Sequence, residues 1–104
     1  MYKILIIYST TDGQTKLICE RIKNLSKFKN QIKLISINEA SKENFSTYTT
    51  IIIGASIRYG KHKSSVLKFV KENIKILNQK KSVFFSVNVV ARKEEKSLHI
   101  QTHI

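Results

Sequence analysis

The sequence predicts an α/β fold built on an open parallel sheet, and three observations carry the prediction. Two near-continuous apolar, β-branched runs, Tyr2–Tyr8 and Thr49–Ala55, have the pattern of parallel strands covered on both faces. Amphipathic helical periodicity follows each run. Strands alternating with helices imply right-handed crossovers between parallel neighbours. No repeat, linker or low-complexity segment interrupts this order, and 104 residues hold one core, so residues 1–104 read as a single domain.

In chain order, Tyr2–Tyr8 is the first strand and belongs in the middle of the sheet. From Gly13 onward, Ile18, Ile22 and Leu25 recur at i, i+4 and i+7 with Leu17 and Phe28 alongside, and Lys16, Glu20, Lys23 and Lys27 take other positions, which is an amphipathic helix. Gln31–Ile37 alternates enough to be a less buried second strand, and Asn38 can cap a short helical turn over Glu39–Asn44. Thr49–Ala55 is the third strand. Ser64 or Ser65 then caps a helix whose Val66, Val70, Ile74 and Leu77 form one apolar stripe. Ser82–Asn88 is the fourth strand, and the charged tail Arg92–Ile104 reads as loop.

Composition narrows the class. No apolar run approaches the roughly 18 to 20 residues needed to cross a bilayer. The apolar start is about six residues long without a small-residue cleavage site, so it fits a strand better than a signal peptide. One cysteine, Cys19, implies a reducing compartment and packing rather than a disulfide, and His62, His99 and His103 have no metal-ligand spacing. The formal charge of +12 fits nucleic acid, anionic lipid or an acidic small molecule. Most lysines are spread along the chain, however, and read as solvated surface.

The stretch YSTTDGQTK, Tyr8–Lys16, lies where the first strand gives way to its helix. In open α/β folds this turn sits at the carboxyl edge of the sheet, where ligands bind at the switch in strand order. The helix offers unpaired N–H groups and about half a positive charge at its first turn. Ser9, Thr10, Thr11 and Thr15 add hydroxyl donors, and Gly13 lets the backbone curl toward a ligand. A plain cap through Thr11 or Asp12 needs only one such residue, so the stretch reads as a phosphate site. Without GxGxxG or GxxxxGK[ST], dinucleotides and nucleoside triphosphates are disfavoured.

Ser9–Thr15 resembles the phosphate loop of flavodoxins. Its Asp-Gly-Gln-Thr form, followed by Ile53–Gly60 and Ser86–Lys93, is similar to the quinone-dependent protoporphyrinogen IX dehydrogenases of bacteria, over Tyr2 to about Thr102. The resemblance implies a flavodoxin-like fold, bound FMN, and oxidation of protoporphyrinogen IX to protoporphyrin IX in haem synthesis with a membrane quinone as acceptor. It implies that Thr10, Thr11, Asp12, Gly13, Gln14 and Thr15 wrap the FMN phosphate. Asp12 stands where ordinary flavodoxins carry a hydroxyl, and its carboxylate would have to turn away from a phosphate dianion to cap the helix. The dehydrogenase branch shares that Asp.

By the same resemblance, the loop from Ser56 through Arg58 and Tyr59 to His62 runs along the isoalloxazine, with Tyr59 able to stack on it. Asn88, Val89, Val90 and Ala91 reach the polar edge of the ring. Both ring-side loops are basic, and Arg58 and Arg92 suit the two propionates of the porphyrinogen. No protein acid or base and no metal is assigned, because the flavin carries the chemistry. The remaining lysines suit an anionic membrane surface, at about 1 kcal/mol per well-placed charge. The expected setting is therefore the cytoplasm or the cytoplasmic face of the inner membrane, without a nucleic-acid partner.

The family continues past Gln101-Thr102 into a further helix, a fifth strand and a last helix, so the expected sheet is 2-1-3-4, C-terminally truncated, with the fourth strand an exposed edge and the apolar face of strands 3 and 4 partly uncovered. Two other readings compete with the enzyme: a truncated remnant that catalyses nothing, and a short FMN electron carrier.

Overall fold

The computed structural model describes residues 2–10, 13–58, 61–62, 64–91 and 96–103. Strand β1 (Ile4–Ser9) holds Leu5, Ile6 and Ile7 fully buried in succession. Neighbouring strand residues point to opposite faces, so three in a row can hide only in a strand covered on both sides. β2 (Ile32–Ser36) and β3 (Thr50–Arg58) flank β1 in parallel, with Ile6 in register with Leu34 and Ile52. β4 (Lys61–His62) turns back antiparallel on β3, and β5 (Lys81–Ala91) pairs parallel to the other edge of β3. The parallel strands thus take the expected 2-1-3-4 order, with β5 as the fourth of them.

Helix α1 (Gln14–Leu25) covers one face, where Cys19 packs with Ile6, Ile32, Phe85 and Val87. The opposite face is covered by α2 (Ile37–Ala40), α3 (Ser64–Glu72) and α4 (Ile74–Gln79), whose Ala40, Phe69 and Leu77 join Leu5, Ile7, Ile51 and Ile53. Phe45 and Phe69 meet edge to face with ring centroids 6.0 Å apart. Cover over the last two parallel strands is incomplete on this side. A groove of about 470 Å³ stays open there, lined by Ile53, Val66, Val70, Leu77 and Phe84.

Several sequence expectations are corrected. The tail expected as loop contains β6 (Lys96–His103), antiparallel to β5, so the fourth parallel strand is not an exposed edge. The signal was there: Leu98, Ile100 and Thr102 alternate with polar residues at period two. The helix expected from Ser64 through Leu77 is two helices. The break falls at Asn73, whose backbone N–H is shared between the Phe69 and Val70 carbonyls at 3.1 and 3.3 Å while its side-chain amide also donates to the Phe69 carbonyl at 2.8 Å. The short helix after β2 begins earlier than Asn38 would allow: Glu39 reaches back to accept the Ser36 N–H at 3.2 Å, which sets Ser36 as the cap.

The buried side of α1 also differs from its hydropathy stripe. Thr15 and Cys19 are the buried residues, whereas Leu25 is 75% exposed. The reason lies at the start of the helix, where a hydroxyl of Thr15 finds a partner inside the fold.

Candidate functional site

β1 ends on Ser9, which is buried, and the next described residue, Thr10, folds its hydroxyl oxygen back to accept the Gly13 N–H at 2.9 Å. That bond closes the turn on itself. Gly13 lies at φ +89° and ψ −10°, the left-handed region that side-chain-bearing residues avoid, and an added Cβ there would meet nothing within 4 Å. Glycine is therefore required for its backbone and not for space. Gly13 is also the N-cap of α1, with no acidic residue in the first turn. The positive end of the helix consequently faces the carboxyl edge without an acid of its own first turn to offset it.

Thr15, one residue into α1, is fully buried, and its Oγ1 lies 2.6 Å from Oγ of Ser56 near the carboxyl end of β3. Two elements 41 residues apart in sequence are joined at this contact. Just below, Gly54 is in register with Tyr8 and Phe85. A Cβ on Gly54 would collide with the Phe85 ring, so glycine is what allows the aromatic ring to lie across β3 under α1. Lys16 sets its ammonium 6.0 Å from the centre of the Tyr8 ring, adding a cation beside the first turn.

Of the residues singled out in the sequence, Thr10, Gly13, Gln14, Thr15 and Ser56 are gathered at the carboxyl edge of β1 and β3. Thr11, Asp12, Tyr59 and Arg92 lie outside the described residues. The segment expected as a loop from Ser56 to His62 is instead the end of β3, closed by Arg58, and its antiparallel partner β4, with Arg58 opposite Lys61. Asn88, Val89, Val90 and Ala91, also expected as loop, are the last residues of β5 and pair with His99, Leu98, Ser97 and Lys96. Pairing between β3 and β5 stops at Asn88. Among the described residues, Val89–Ala91 therefore pair with β6 only.

Ser86 escaped the sequence reading as a site residue. It is buried, and Ala55 alone separates it from Ser9 across the sheet, since Ser9 and Ser86 are both register partners of Ala55. A serine inside the otherwise apolar run VFFSV was the available signal. Cys19 is excluded from the chemistry by its surroundings: burial first, and the charge of Glu20 second, push its thiol up to about 12, so it stays protonated and unreactive. Among the described residues no three or more His, Cys, Asp or Glu side chains converge as a metal site would need, and no helix is long and apolar enough to cross a membrane.

This arrangement can hold an anion: helix N–H groups, a left-handed glycine and neutral hydroxyls converge, and the described residues place no carboxylate among them. A family model described as a flavodoxin domain matches residues 5–103. The chain is 40% identical over 95 residues to the protoporphyrinogen IX dehydrogenase (quinone) of Escherichia coli strain K12, covering 90% of this chain and 52% of that protein. It is 35% identical over 97 residues to the enzyme of the same name from Leishmania major, covering 91% of this chain and 42% of that one. The chain thus spans about half the length of the curated relatives it matches. A solved flavodoxin from the domain Archaea superposes with a TM-score of 0.60 at 28% identity, over 73% of this chain and 54% of that chain.

Proposed function

Because the chain belongs to the flavodoxin domain family, we propose that it binds FMN at the carboxyl edge of β1 and β3 and serves the oxidation of protoporphyrinogen IX to protoporphyrin IX in haem synthesis, with quinone as acceptor. One observation carries the cofactor assignment. The first turn of α1 opens on a left-handed Gly13 with no acid of its own, beside the buried Thr15 hydroxyl. These donors fit a phosphate dianion, which only accepts hydrogen bonds. The names of the relatives support the substrate and the acceptor.

In this reading Thr10, Thr11, Asp12, Gly13, Gln14 and Thr15 hold the phosphate, with Thr10 shaping the turn through Gly13. Arg58 and Tyr59 border the ring, Ser56 supports the phosphate turn through Thr15, and the backbone of Val89–Ala91 offers N–H donors to the polar side of the ring. Arg58 and Arg92 pair with the propionates of the porphyrinogen. When bound, the flavin supplies the capacity to take electrons from the porphyrinogen and pass them to the quinone. The contribution of the chain is to bind, orient and balance charge, and its net +12 favours an anionic membrane surface where quinone resides.

Likeness to a solved flavodoxin supports a second reading, in which the chain binds FMN as an electron carrier and does not oxidise the porphyrinogen. Anaerobic titration of FMN, followed by flavin fluorescence, tests the first step: saturable quenching is expected, and unquenched flavin at all protein concentrations sinks both readings. Addition of protoporphyrinogen IX and a menaquinone analogue then separates them by the appearance of porphyrin fluorescence.

A further inference from the structure

The contact between Thr15 Oγ1 and Ser56 Oγ, 2.6 Å long and closed off from solvent, has a direction that depends on what else Thr15 does. Each hydroxyl carries one proton, so one of the pair donates and the other accepts. Within the pair itself either direction is possible, and the accepting hydroxyl keeps its own proton for a further acceptor. A phosphate dianion removes that freedom. It has acceptors only, so a Thr15 hydroxyl that donates to it has no proton left for Ser56 and must accept from it instead.

We propose that Ser56 is a positioning residue for anion binding: its hydroxyl donates to Thr15, which turns the single Thr15 proton toward the anionic group at the start of α1. This rests on the phosphate reading of the loop and adds to it a partner 41 positions downstream. Threonine in a helix divides between two χ1 rotamers, and the bond from Ser56 selects one of them. A donor chain from Ser56 through Thr15 to the anion also polarises each bond in turn. The same contact ties the phosphate turn to the end of β3, two residues before Arg58.

FMN and riboflavin, which share the ring and differ by the phosphate, test this in fluorescence titrations of the full chain. Ser56→Ala is expected to weaken FMN about fivefold, the worth of one neutral hydrogen bond, while riboflavin changes less than twofold. Ser56→Thr keeps the hydroxyl and should retain the wild-type ratio of the two affinities. In a Thr15→Val background, Ser56→Ala should cost nothing further. Should the alanine variant unfold, Ser56→Cys preserves the side-chain size with a weak donor and reports the same ratio. Equal loss for both ligands would make the contact merely structural. Further loss in the Thr15→Val background would mean that Ser56 touches the ligand itself, and no loss of FMN affinity would also overturn the proposal. Wild-type protein that binds FMN no better than riboflavin would instead remove the phosphate reading on which it stands.

Discussion

Near the amino ends of β2, β3 and β5, Glu43 accepts from the Lys33 ammonium at 3.2 Å and from the Tyr48 hydroxyl at 2.9 Å, while Lys80 donates to the Tyr48 carbonyl. At the carboxyl edge of the same sheet, Thr10, Thr15 and Ser56 bond through neutral hydroxyls, and the first turn of α1 holds no acid. The first region brings its own counter-ion and closes on itself. The second, in the function proposed above, is where a bound anion meets the positive end of α1. The two ends of the sheet are thus held by different chemistry, a charged network at one and neutral hydroxyls at the other.

The sharpest way to break that contrast is Gly54→Val, which drives a branched side chain into the Phe85 ring beneath the carboxyl edge. A loss of about 3 kcal/mol is expected from urea unfolding, together with loss of FMN affinity, because the strand carrying Ser56 must shift. Glu43→Ala should cost about 2 kcal/mol by the same measurement, since it removes the acceptor of the hydroxyl of Tyr48, a residue only 4% exposed. Its FMN affinity should stay within twofold of wild type, and a larger change would erase the distinction between the two regions.

The smallest effect sharpens the comparison through pH. Burial first, then the hydrogen bond and charge of Glu43, raise the Tyr48 phenol from 10.0 to about 12. A raised value means that the folded state favours the protonated phenol. Its contribution is complete below pH 10 and is lost as pH rises toward 12. Cys19 acts in the same direction from its ordinary 9.0. Tyr48→Phe should cost about 1 kcal/mol at neutral pH and make the alkaline decline in urea midpoint shallower between pH 10 and 12, leaving the thiol component in place. An unchanged slope would show that the phenol does not titrate with folding.

Legibility from sequence followed the strength of local signals. The runs Leu5-Ile6-Ile7 and Ile51-Ile52-Ile53 announced central strands because few other structures hide consecutive bulky apolar residues on both faces. The hydroxyl-rich turn was legible because strand, glycine and helix meet within a few residues. By contrast, β6 carries histidines, a glutamine and serine among its apolar residues, and its place was decided by the unpaired edge of β5. The inner side of α1 was misread for a related reason: Thr15 looks like a surface residue until the Ser56 hydroxyl is brought against it.

The sequence by itself determined four parallel strands alternating with helices, the hydroxyl-rich turn after the first of them and the glycine at its hinge, since propensity, periodicity and backbone freedom act over a few residues. Tertiary structure alone decided that Ser56 meets Thr15, that Phe85 lies on Gly54 and that β6 pairs with the outer edge of β5. Those outcomes depend on which distant groups pack together and on satisfying every buried hydrogen-bonding atom, and neither is written in the neighbours of any one residue.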